Sequence, residues 1–479
     1  MNTLLHFQLK KELEDILGSE WVRDADVDIH PLIVDTWWAT RMLEKNNLPL
    51  PKSEFVVQPA IAKEVSALLR IAQLYRIPII PRGGSASDTA GSFALDRGIV
   101  LDMRRMNRVI DLDTTSQVVT VQAGIMMSDL EQILNAQGFT TNHLPASMYC
   151  STVGGFLSTR GSGVLSSKYG KIEDLLLSAE VALPDGSVLR TCPVPRSSAG
   201  PQLSRLFVGA EGIFGVFTEI TLQMFQLPEK RAFPAFAFKS LDDAFTAGRK
   251  IMTSGLKPAV MRVYDEADSR KMVQPVLGDV GTFEGLLVLG FDGTAEFVDL
   301  EVKIASEMCR SAGGTSIGEE LGSKWWNHRY DFYYPPHTLE SSSYMYAVTD
   351  TLARYREAPG LYRDLKHTLE TKFAEHELEF VAHFSHWYEW GMSIYPNFIV
   401  RCPPEDPYEG YSLFIEIWRT AVEVMHRHNG TINEHHGTGF KLGRFYRDLE
   451  PERFELVRKV KTALDPKNIL SPGMFGLEV

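Results

Sequence analysis

Two adjacent histidines precede a glycine-rich segment in the stretch TINEHHGTGFKLG, residues 431–443. An imidazole gains or loses a proton near neutral pH, because its ordinary pKa of about 6.5 is close to the pH at which most enzymes work. The residue types at Glu434, His435 and His436 therefore allow proton transfer beside a ligand, binding of a metal ion, or a packed core without chemistry. The elements around the pair must decide among these uses.

Length and charge limit the classes of protein to consider. The chain has 479 residues, of which 44% are apolar and 23% charged, and its net charge is -12. This length predicts two domains of ordinary globular composition. The negative charge argues against general nucleic-acid binding, because neutralising phosphates needs clustered lysine and arginine. It leaves room for a local basic pocket that binds an anionic substrate.

The four cysteines are far apart in the chain, at Cys150, Cys192, Cys309 and Cys402. None forms a CxxC pair, which favours reduced thiols over a disulfide scaffold. The N-terminal residues 1–21 have the spacing of an amphipathic helix and lack the apolar core of a signal peptide. No apolar run reaches the length of about 18 residues that a membrane span needs. We therefore expect a cytoplasmic protein without a transmembrane segment.

Alternating patterns in residues 55–190 predict short strands and helices. Residues 55–57 and 77–80 are expected to be strands, and residues 62–75 have helical spacing. Three β-branched runs follow as further strands, and Ser128 is a candidate N-cap for the next helix. Asp185 and Gly186 predict a hairpin turn.

Two loops are rich in glycine and serine, at residues 82–92 and 154–170. Glycine lets a backbone approach a ligand closely, and successive N–H groups can then hold a phosphate. The alternative is a pair of ordinary surface loops. The segment 154–170 is too rich in glycine and serine to predict a regular element. Neither GxGxxG nor GxxxxGK[ST] occurs, so a nucleotide would not be bound by either of those motifs.

Three stretches together resemble the FAD-binding domain of the vanillyl-alcohol oxidase superfamily of PCMH-type flavoproteins: PRGGSASDTAG, STVGGFLSTRGSGVLSSKYGKIEDL and LFVGAEGIFGVFTEITL. The resemblance covers residues 50–225 and resumes in the last fifty residues. It implies an α+β protein in which a two-subdomain FAD-binding domain is covered by a cap domain with a mostly antiparallel sheet and flanking helices.

The same resemblance implies where FAD would bind. The backbone around residues 82–87 would hold the pyrophosphate, residues 145–151 and 154–163 would contact the flavin and ribityl chain, and residues 211–213 would border the adenosine. The expected cofactor-binding residues are Pro81, Arg82, Gly83, Gly84, Ser85, Ala86, Ser87, Pro145, Ser151, Thr152, Gly154, Gly155, Ser158, Thr159, Arg160, Gly163, Glu211, Gly212 and Ile213. The first loop contains no histidine to attach flavin covalently, so FAD is expected to be non-covalent.

Within this superfamily the chain is most similar to the alkyldihydroxyacetonephosphate synthase family, through SHWYEWGMSIYPNF and EHHGTGFKL. That family exchanges the acyl group of an acyl-dihydroxyacetone phosphate for a fatty alcohol at the flavin, which is a step of ether-lipid synthesis. The resemblance implies catalytic roles for Tyr388, His435 and His436. It also implies that Arg262 and Arg329 hold the phosphate, which a guanidinium grips with two hydrogen bonds.

The chain departs from that family at two places. Glu434 replaces the first of three histidines, and Trp390 replaces an alanine, where an indole could narrow the tunnel for an alkyl chain. The competing interpretation is a flavin D-2-hydroxyacid dehydrogenase, an oxidoreductase that acts on a CH–OH group. Those relatives bind a metal, but Tyr395 stands near one expected histidine and Glu434 is displaced by one residue, so no metal is expected. A flavin-binding protein without turnover is the third alternative.

The resemblance and the change in pattern near residue 228 predict four segments. They are an N-terminal helical segment 1–50, an FAD-binding domain 51–228, a cap domain 229–430, and a C-terminal segment 431–479 that returns to the FAD domain. The expected partners are a small-molecule substrate, phosphorylated or lipid-like, and a second copy of the chain in a homodimer. Peripheral contact with a membrane stays open.

Overall fold

The computed structural model describes residues 3–46, 48, 50, 52–92, 98–194, 196–331 and 345–478. The first helix, Thr3–Leu17, buries Leu9, Leu13 and Leu17 along one face, as the amphipathic spacing predicts. Two short helices, Asp26–Ile29 and Trp38–Lys45, complete the N-terminal segment.

The first sheet has four strands in the order Val22–Arg23, Phe55–Val57, Ile99–Asp102 and Ile79–Arg82. The last three are parallel, because the helix Ala62–Tyr75 carries the chain back between the second and fourth positions. The strand predicted at 77–80 lies two residues further on and therefore ends at Arg82. The first glycine loop, residues 82–92, therefore begins at the end of this strand, at one edge of the sheet.

The second sheet has five antiparallel strands in the order Val109–Asp113, Val118–Gln122, Val216–Gln223, Leu176–Ala182 and Val188–Arg190. The last two strands are joined by the hairpin predicted at Asp185 and Gly186, where Gly186 has a positive φ of 78°. A two-stranded ribbon, Phe139–Thr140 with Phe225–Gln226, lies apart from it. The remaining helices of this half are Met127–Asn135, Val153–Thr159, Ser166–Tyr169, Ile172–Leu175 and Ser204–Phe207.

The predicted N-cap at Ser128 is wrong. The helix begins at Met127, with the extended residue Met126 as its N-cap. The first N–H groups donate to distant carbonyls instead of a side-chain cap: Met127 N to Ser151 O at 3.0 Å and Ser128 N to Met148 O at 3.1 Å. Sequence alone does not show such tertiary acceptors.

The prediction that residues 154–170 form no regular element is also wrong. Val153–Thr159 is a helix, capped by Thr152, whose Oγ1 accepts from Gly155 N at 3.2 Å. A Cβ on Gly154 would lie 2.9 Å from the carbonyl oxygen of Ala123. Close packing against the second sheet therefore stabilises a helix that glycine disfavours by about 1 kcal/mol per residue relative to alanine.

The large third sheet is antiparallel throughout and forms the second half of the molecule. Its main path is Thr315–Gly318, Ala235–Phe238, Gly285–Gly293, Val260–Asp265, Leu378–Phe384, Gly391–Val400 and Met345–Val348. Two further strands pair beside it, Lys230–Ala232 with Gly285–Gly293 and Thr351–Arg354 with Gly391–Val400. Among the described residues, the helices of this half are Leu241–Met252, Glu266–Asp268, Gln274–Leu277, Ala295–Ser311, Glu320–Asn327, Ala358–Lys372 and Pro407–Arg427, with a π-helical turn at Ser269–Val273.

The chain ends with two helices, Gly439–Leu449 and Pro451–Leu464, the second closed at Asp465 as predicted. Leu442 and Phe445 pack into the core of the large sheet, while Met474 and Phe475 join the core of the second sheet. The C-terminal segment therefore contacts both halves.

The predicted fold class is confirmed: an α+β chain in which small sheets carry the glycine loops and a large antiparallel sheet with flanking helices covers them. The four cysteines are free thiols. Among the described residues, every helix is too short or too polar to cross a bilayer.

Candidate active site

The first glycine loop packs against residues 150–152, which lead into the second glycine loop. A Cβ on Gly84 would lie 1.6 Å from the carbonyl oxygen of Cys150, and one on Gly83 would lie 2.3 Å from Oγ1 of Thr152. A side chain at Gly84 would therefore collide with backbone, and one at Gly83 would have to displace the side chain of Thr152.

Glu211 links the third FAD-like stretch to the C-terminal segment. It has a positive φ of 47°, and its carboxylate accepts from Thr438 N at 2.6 Å and Gly439 N at 2.9 Å. Burial raises the pKa of Glu211 to about 7, against the opposing effect of these two N–H donors. The glutamate thus fixes the first turn of the helix Gly439–Leu449 against the glycine loops.

A cavity of about 430 Å³ lies between these loops and the large sheet, within the usual range of about 300–1,000 Å³ for ligand sites. All predicted cofactor-binding residues line it except Arg160 and Ile213. Arg160 forms an ion pair of 2.9 Å with Glu173. Ile213 is buried in the core of the second sheet.

The walls of this cavity fit FAD. Residues of the two glycine loops form one wall, where close packing favours glycine, and backbone N–H groups in such a cradle suit a pyrophosphate. Arg82 adds a buried guanidinium with an unpartnered Nε, and burial lowers its pKa to about 10. The residues present therefore match the cofactor that the sequence implies.

Strand register places three polar side chains on the opposite wall. His383 pairs directly across from Tyr395 in the large sheet, and their rings stack at 4.6 Å between centroids. Nη2 of Arg262, on the neighbouring strand, lies 2.8 Å from Nε2 of His383. A guanidinium can only donate, so Nε2 accepts and Nδ1 donates to Asp268 at 2.9 Å.

Asp350, in the turn between two strands, holds the histidine pair. Its Oδ1 lies 2.5 Å from Nδ1 of His436, and its Oδ2 accepts from the backbone N–H of His435 at 2.8 Å. The hydroxyl of Tyr395 lies 3.3 Å from Nε2 of His436. Burial favours neutral Asp350, but His436 and His435 outweigh it and hold the pKa of Asp350 well below its usual value.

Glu434 is a second buried carboxylate beside the pair. Its side-chain oxygens contact Ser162, Lys171, His386, Tyr388 and His435. Burial opposes ionisation, but Lys171, His386 and His435 hold the pKa of Glu434 well below its usual value. His435 lies between Glu434 and Asp350; burial disfavours its charge, yet the two carboxylates raise its pKa to about 10. His435 is therefore an imidazolium at neutral pH.

The structure brings some predicted catalytic residues together and leaves others apart. Arg262, His435 and His436 line the cavity. Tyr388 lies behind that wall, where its hydroxyl donates to Glu434 at 3.0 Å and its ring stacks on the half-exposed Trp390. Arg329 lies outside the cavity wall, between the rings of Trp326 and Tyr330. Trp390 lies outside the wall of this cavity, and its effect on a tunnel for an alkyl chain stays a prediction.

Four groups of this site are not predicted by the sequence: His383, His386 and Tyr395 line the cavity, and Asp350 lies behind them. The sequence indicates no role for His383, His386 or Asp350, and Tyr395 stands out only because it is near an expected metal-binding histidine. The alternation of the strand 391–400 could have placed Tyr395 and the buried strand 378–384 could have placed His383. No local pattern marks Asp350.

Two groups of side chains have the types and closeness for a metal ion: Asp350 with His435 and His436, and His386 with Glu434 and His435. However, Nζ of Lys171 lies 3.2 Å from Oε1 of Glu434 and donates to its backbone carbonyl. An ammonium and an imidazolium thus already balance both carboxylates. The expectation of no metal stays a prediction.

Two protein families match the chain: the FAD binding domain over residues 53–192 and the C-terminal domain of FAD linked oxidases over residues 227–475. Alkyldihydroxyacetonephosphate synthase of Trypanosoma brucei brucei is 30% identical, over 96% of this chain and 79% of the relative. A probable mitochondrial D-lactate dehydrogenase of Danio rerio is 27% identical, over 88% of this chain and 84% of the relative.

A solved structure of an alkyldihydroxyacetonephosphate synthase superposes with a TM-score of 0.80 at 23% identity, over 97% of this chain and 84% of that one. At that identity the superposition supports the fold alone. The two family matches and the sequence relatives support, in addition to the fold, the family and the cofactor. This chain belongs to the FAD-linked oxidase family and is an FAD-dependent enzyme with a PCMH-type FAD-binding domain.

Proposed function

We propose that this enzyme exchanges the acyl group of an acyl-dihydroxyacetone phosphate for an alkoxy group, as an alkyldihydroxyacetonephosphate synthase. The observation that carries the proposal is the Arg262 guanidinium, in the wall of the cavity that faces the FAD loops. A guanidinium can hold a phosphate with two hydrogen bonds. The 30% identity to the trypanosomal synthase supports the same reaction.

His383 and Asp268 orient Arg262. Because Nδ1 of His383 carries the proton and donates it in a hydrogen bond to Asp268, the lone pair on Nε2 is left to accept from Nη2 of Arg262. Burial lowers the pKa of His383 well below its usual value, and the charge of Arg262 adds to this effect. The neutral imidazole therefore fixes the guanidinium without competing for the phosphate.

Tyr395, His436 and Asp350 form a chain that can move a proton. The Tyr395 hydroxyl donates to Nε2 of His436, whose Nδ1 donates to Asp350. When the phenol oxygen takes a proton from substrate, its own proton can pass to His436, and Asp350 stabilises the imidazolium that forms. Bound FAD would supply the electrophilic ring system that residues 81–87, 145–163 and 211–212 hold.

A second candidate is oxidation of a CH–OH group, as in a 2-hydroxyacid dehydrogenase. The 27% identity to the D-lactate dehydrogenase relative favours it, and the Arg262 guanidinium would equally bind a carboxylate. In that reaction a side chain of the cavity would take the hydroxyl proton, and bound FAD would supply the hydride acceptor. Tyr388 and Arg329, predicted as catalytic, have no contact with the cavity in support of that role.

We also propose the segment boundaries 1–50, 51–228, 229–430 and 431–479. Four free thiols support a reducing compartment such as the cytoplasm. A phosphorylated or lipid-like substrate, a homodimer, peripheral membrane contact and non-covalent FAD stay predictions of the resemblance.

The test uses the purified FAD-containing protein without oxygen. Acyl-dihydroxyacetone phosphate and a fatty alcohol labelled with ¹⁸O are added, and the products are weighed by mass spectrometry while the flavin absorbance is followed. Exchange predicts an ether that retains ¹⁸O, release of fatty acid, and no lasting loss of the flavin band. Bleaching by a D-2-hydroxyacid without ether formation would replace the proposal with the second candidate.

A further inference from the structure

Besides His435, which lies between two carboxylates, three carboxylate–imidazole pairs of the described residues line or back the cavity. Nδ1 of His383 lies 2.9 Å from Asp268, Nδ1 of His386 lies 3.0 Å from Glu434, and Nδ1 of His436 lies 2.5 Å from Asp350. Ionised Glu434 and Asp350 accept and do not donate, so they place the proton of His386 and of His436 on Nδ1 and leave the lone pair on Nε2. In His383 the donor Arg262 occupies the lone pair of Nε2, so the proton is again on Nδ1.

The three Nε2 atoms differ in what they face. Arg262 donates to Nε2 of His383 at 2.8 Å, and Tyr395 lies 3.3 Å from Nε2 of His436. Among the described residues, none donates to Nε2 of His386. Its side chain lines the cavity and keeps 8% of its surface exposed, while Glu434 covers Nδ1. Of the three imidazoles, that of His386 alone has a lone pair open to a ligand in the cavity.

The charges around His386 favour its neutral form. Burial lowers its pKa from the usual value, and the charges of His435 and Lys171 act in the same direction. Glu434 acts against them without reversing the shift. Among the other titratable groups near it, His143 is fully buried and burial lowers its pKa to about 3, so it adds no charge. A neutral imidazole is the form that accepts a proton.

We propose that His386 is a further catalytic residue, whose Nε2 takes the hydroxyl proton of the alcohol bound in the cavity while Glu434 holds Nδ1. This inference rests on the proposed function, since both candidate reactions begin with an alcohol. The O–H bond breaks, its electron pair stays on oxygen, and the proton moves to Nε2. In the exchange, that oxygen bonds to the substrate carbon as the carboxylate leaves with the electron pair of its C–O bond. The imidazolium then returns its proton to solvent.

The arrangement separates two proton paths. In one path the proton passes from Tyr395 to His436, which is hydrogen-bonded to Asp350. In the other path the proton passes to His386, which is hydrogen-bonded to Glu434. Ionised Glu434 stabilises the His386 imidazolium while it exists, and Lys171 keeps Glu434 ionised between turnovers. Glu434 is a positioning residue in this scheme, because it acts through His386.

The decisive variant is His386→Asn. The asparagine amide nitrogen can replace Nδ1 as the donor to Glu434, but nothing replaces Nε2. We expect unchanged FAD content and thermal stability, turnover lower by about 10²- to 10⁴-fold, loss of the acidic limb of the pH profile, and partial recovery when imidazole is added. The matched control is His428→Asn, a carboxylate-paired histidine 2.9 Å from Asp364 and outside the cavity wall. It should retain full turnover.

A second measurement does not depend on turnover. In protein with ¹⁵N-labelled histidine, the signals that disappear in His386→Asn should show a proton on Nδ1 and a free lone pair on Nε2 at pH 7. Wild-type turnover and pH profile in His386→Asn would overturn the proposal. So would an Nε2-protonated His386, or one bound metal ion per chain that is lost in this variant. If the wild type acts on neither substrate class, the proposed function fails and the nitrogen signals still decide the state of His386.

Discussion

Oδ1 of Asp350 lies 2.5 Å from Nδ1 of His436. Asp350 is in the turn between the strands Met345–Val348 and Thr351–Arg354, and this turn brings it to the histidine pair. The same carboxylate also accepts from the backbone N–H of His435, so one buried side chain positions the histidine pair and sets the tautomer of His436.

Removing the charge of Asp350 should therefore disable the proton path. In Asp350→Asn, the amide can donate to Nδ1 of His436, which favours the tautomer with its proton on Nε2 and blocks acceptance from Tyr395. We expect turnover to fall by about 10²- to 10⁴-fold, with FAD bound as in the wild type. Flavin absorbance and product analysis measure the two effects; equal turnover in the variant would contradict the assigned chain.

The free energy of unfolding should depend on the charge of His435. Its pKa in the folded protein is about 10, against about 6.5 when unfolded. The folded state thus binds the proton more tightly, so this stabilisation is complete below about pH 6.5 and is lost as the pH rises through about 10. Urea unfolding at pH 6 and pH 10 measures it. The decrease in the free energy of unfolding between pH 6 and pH 10 should be smaller in His435→Gln than in the wild type. An identical decrease in both proteins would show that other groups cause it.

Gly84 should tolerate no side chain. A Cβ there would lie 1.6 Å from a backbone oxygen, so Gly84→Ala must separate the two loops that form the cofactor cradle. We expect loss of bound FAD and a lower melting temperature. Gly360→Ala is the control, because a Cβ on Gly360 would lie 3.7 Å from its nearest neighbouring atom. Gly360 is in the helix Ala358–Lys372, and a helix favours alanine over glycine by about 1 kcal/mol.

Lys171 should matter more than a surface lysine. Lys171→Met leaves the buried Glu434 with less positive charge around it, and removing one partner of a buried pair costs about 3–5 kcal/mol. Lys52→Met breaks a pair with Asp26 whose side chains are 71% and 76% exposed, and solvent screens such a pair so that its loss should cost much less than the loss of Lys171. Denaturant unfolding compares them. Adding Glu434→Gln to Lys171→Met should restore part of the loss, whereas no recovery would mean that the ammonium does not act through Glu434.

Chelation should leave the enzyme unchanged. Because Lys171 and His435 already balance Glu434 and Asp350, dialysis against a chelator is expected to alter neither turnover nor flavin absorbance. Elemental analysis of the purified protein supplies the independent check. Activity that is lost on dialysis and restored by a divalent ion would assign the histidine cluster to a metal.

The sequence by itself determined the cofactor half of this protein. Phe55–Val57, Ala62–Tyr75 and the hairpin at Gly186 follow from local periodicity and turn chemistry. The glycine loops could be recognised because each loop is continuous in sequence and a close backbone approach requires glycine at fixed positions. Within this half the helix Val153–Thr159 could not be predicted from local sequence, because it is stabilised by packing against Ala123.

Only the tertiary structure decided which groups do chemistry opposite the cofactor loops. Asp268 meets His383, Asp350 meets His436, and Lys171 meets Glu434, each pair being distant in sequence. Strand register in the large sheet and the return of the C-terminal segment create these contacts. A single sequence records neither. A buried carboxylate that fixes an imidazole looks, in the chain, like any other aspartate in a turn, because its role depends on the partner that folding brings to it.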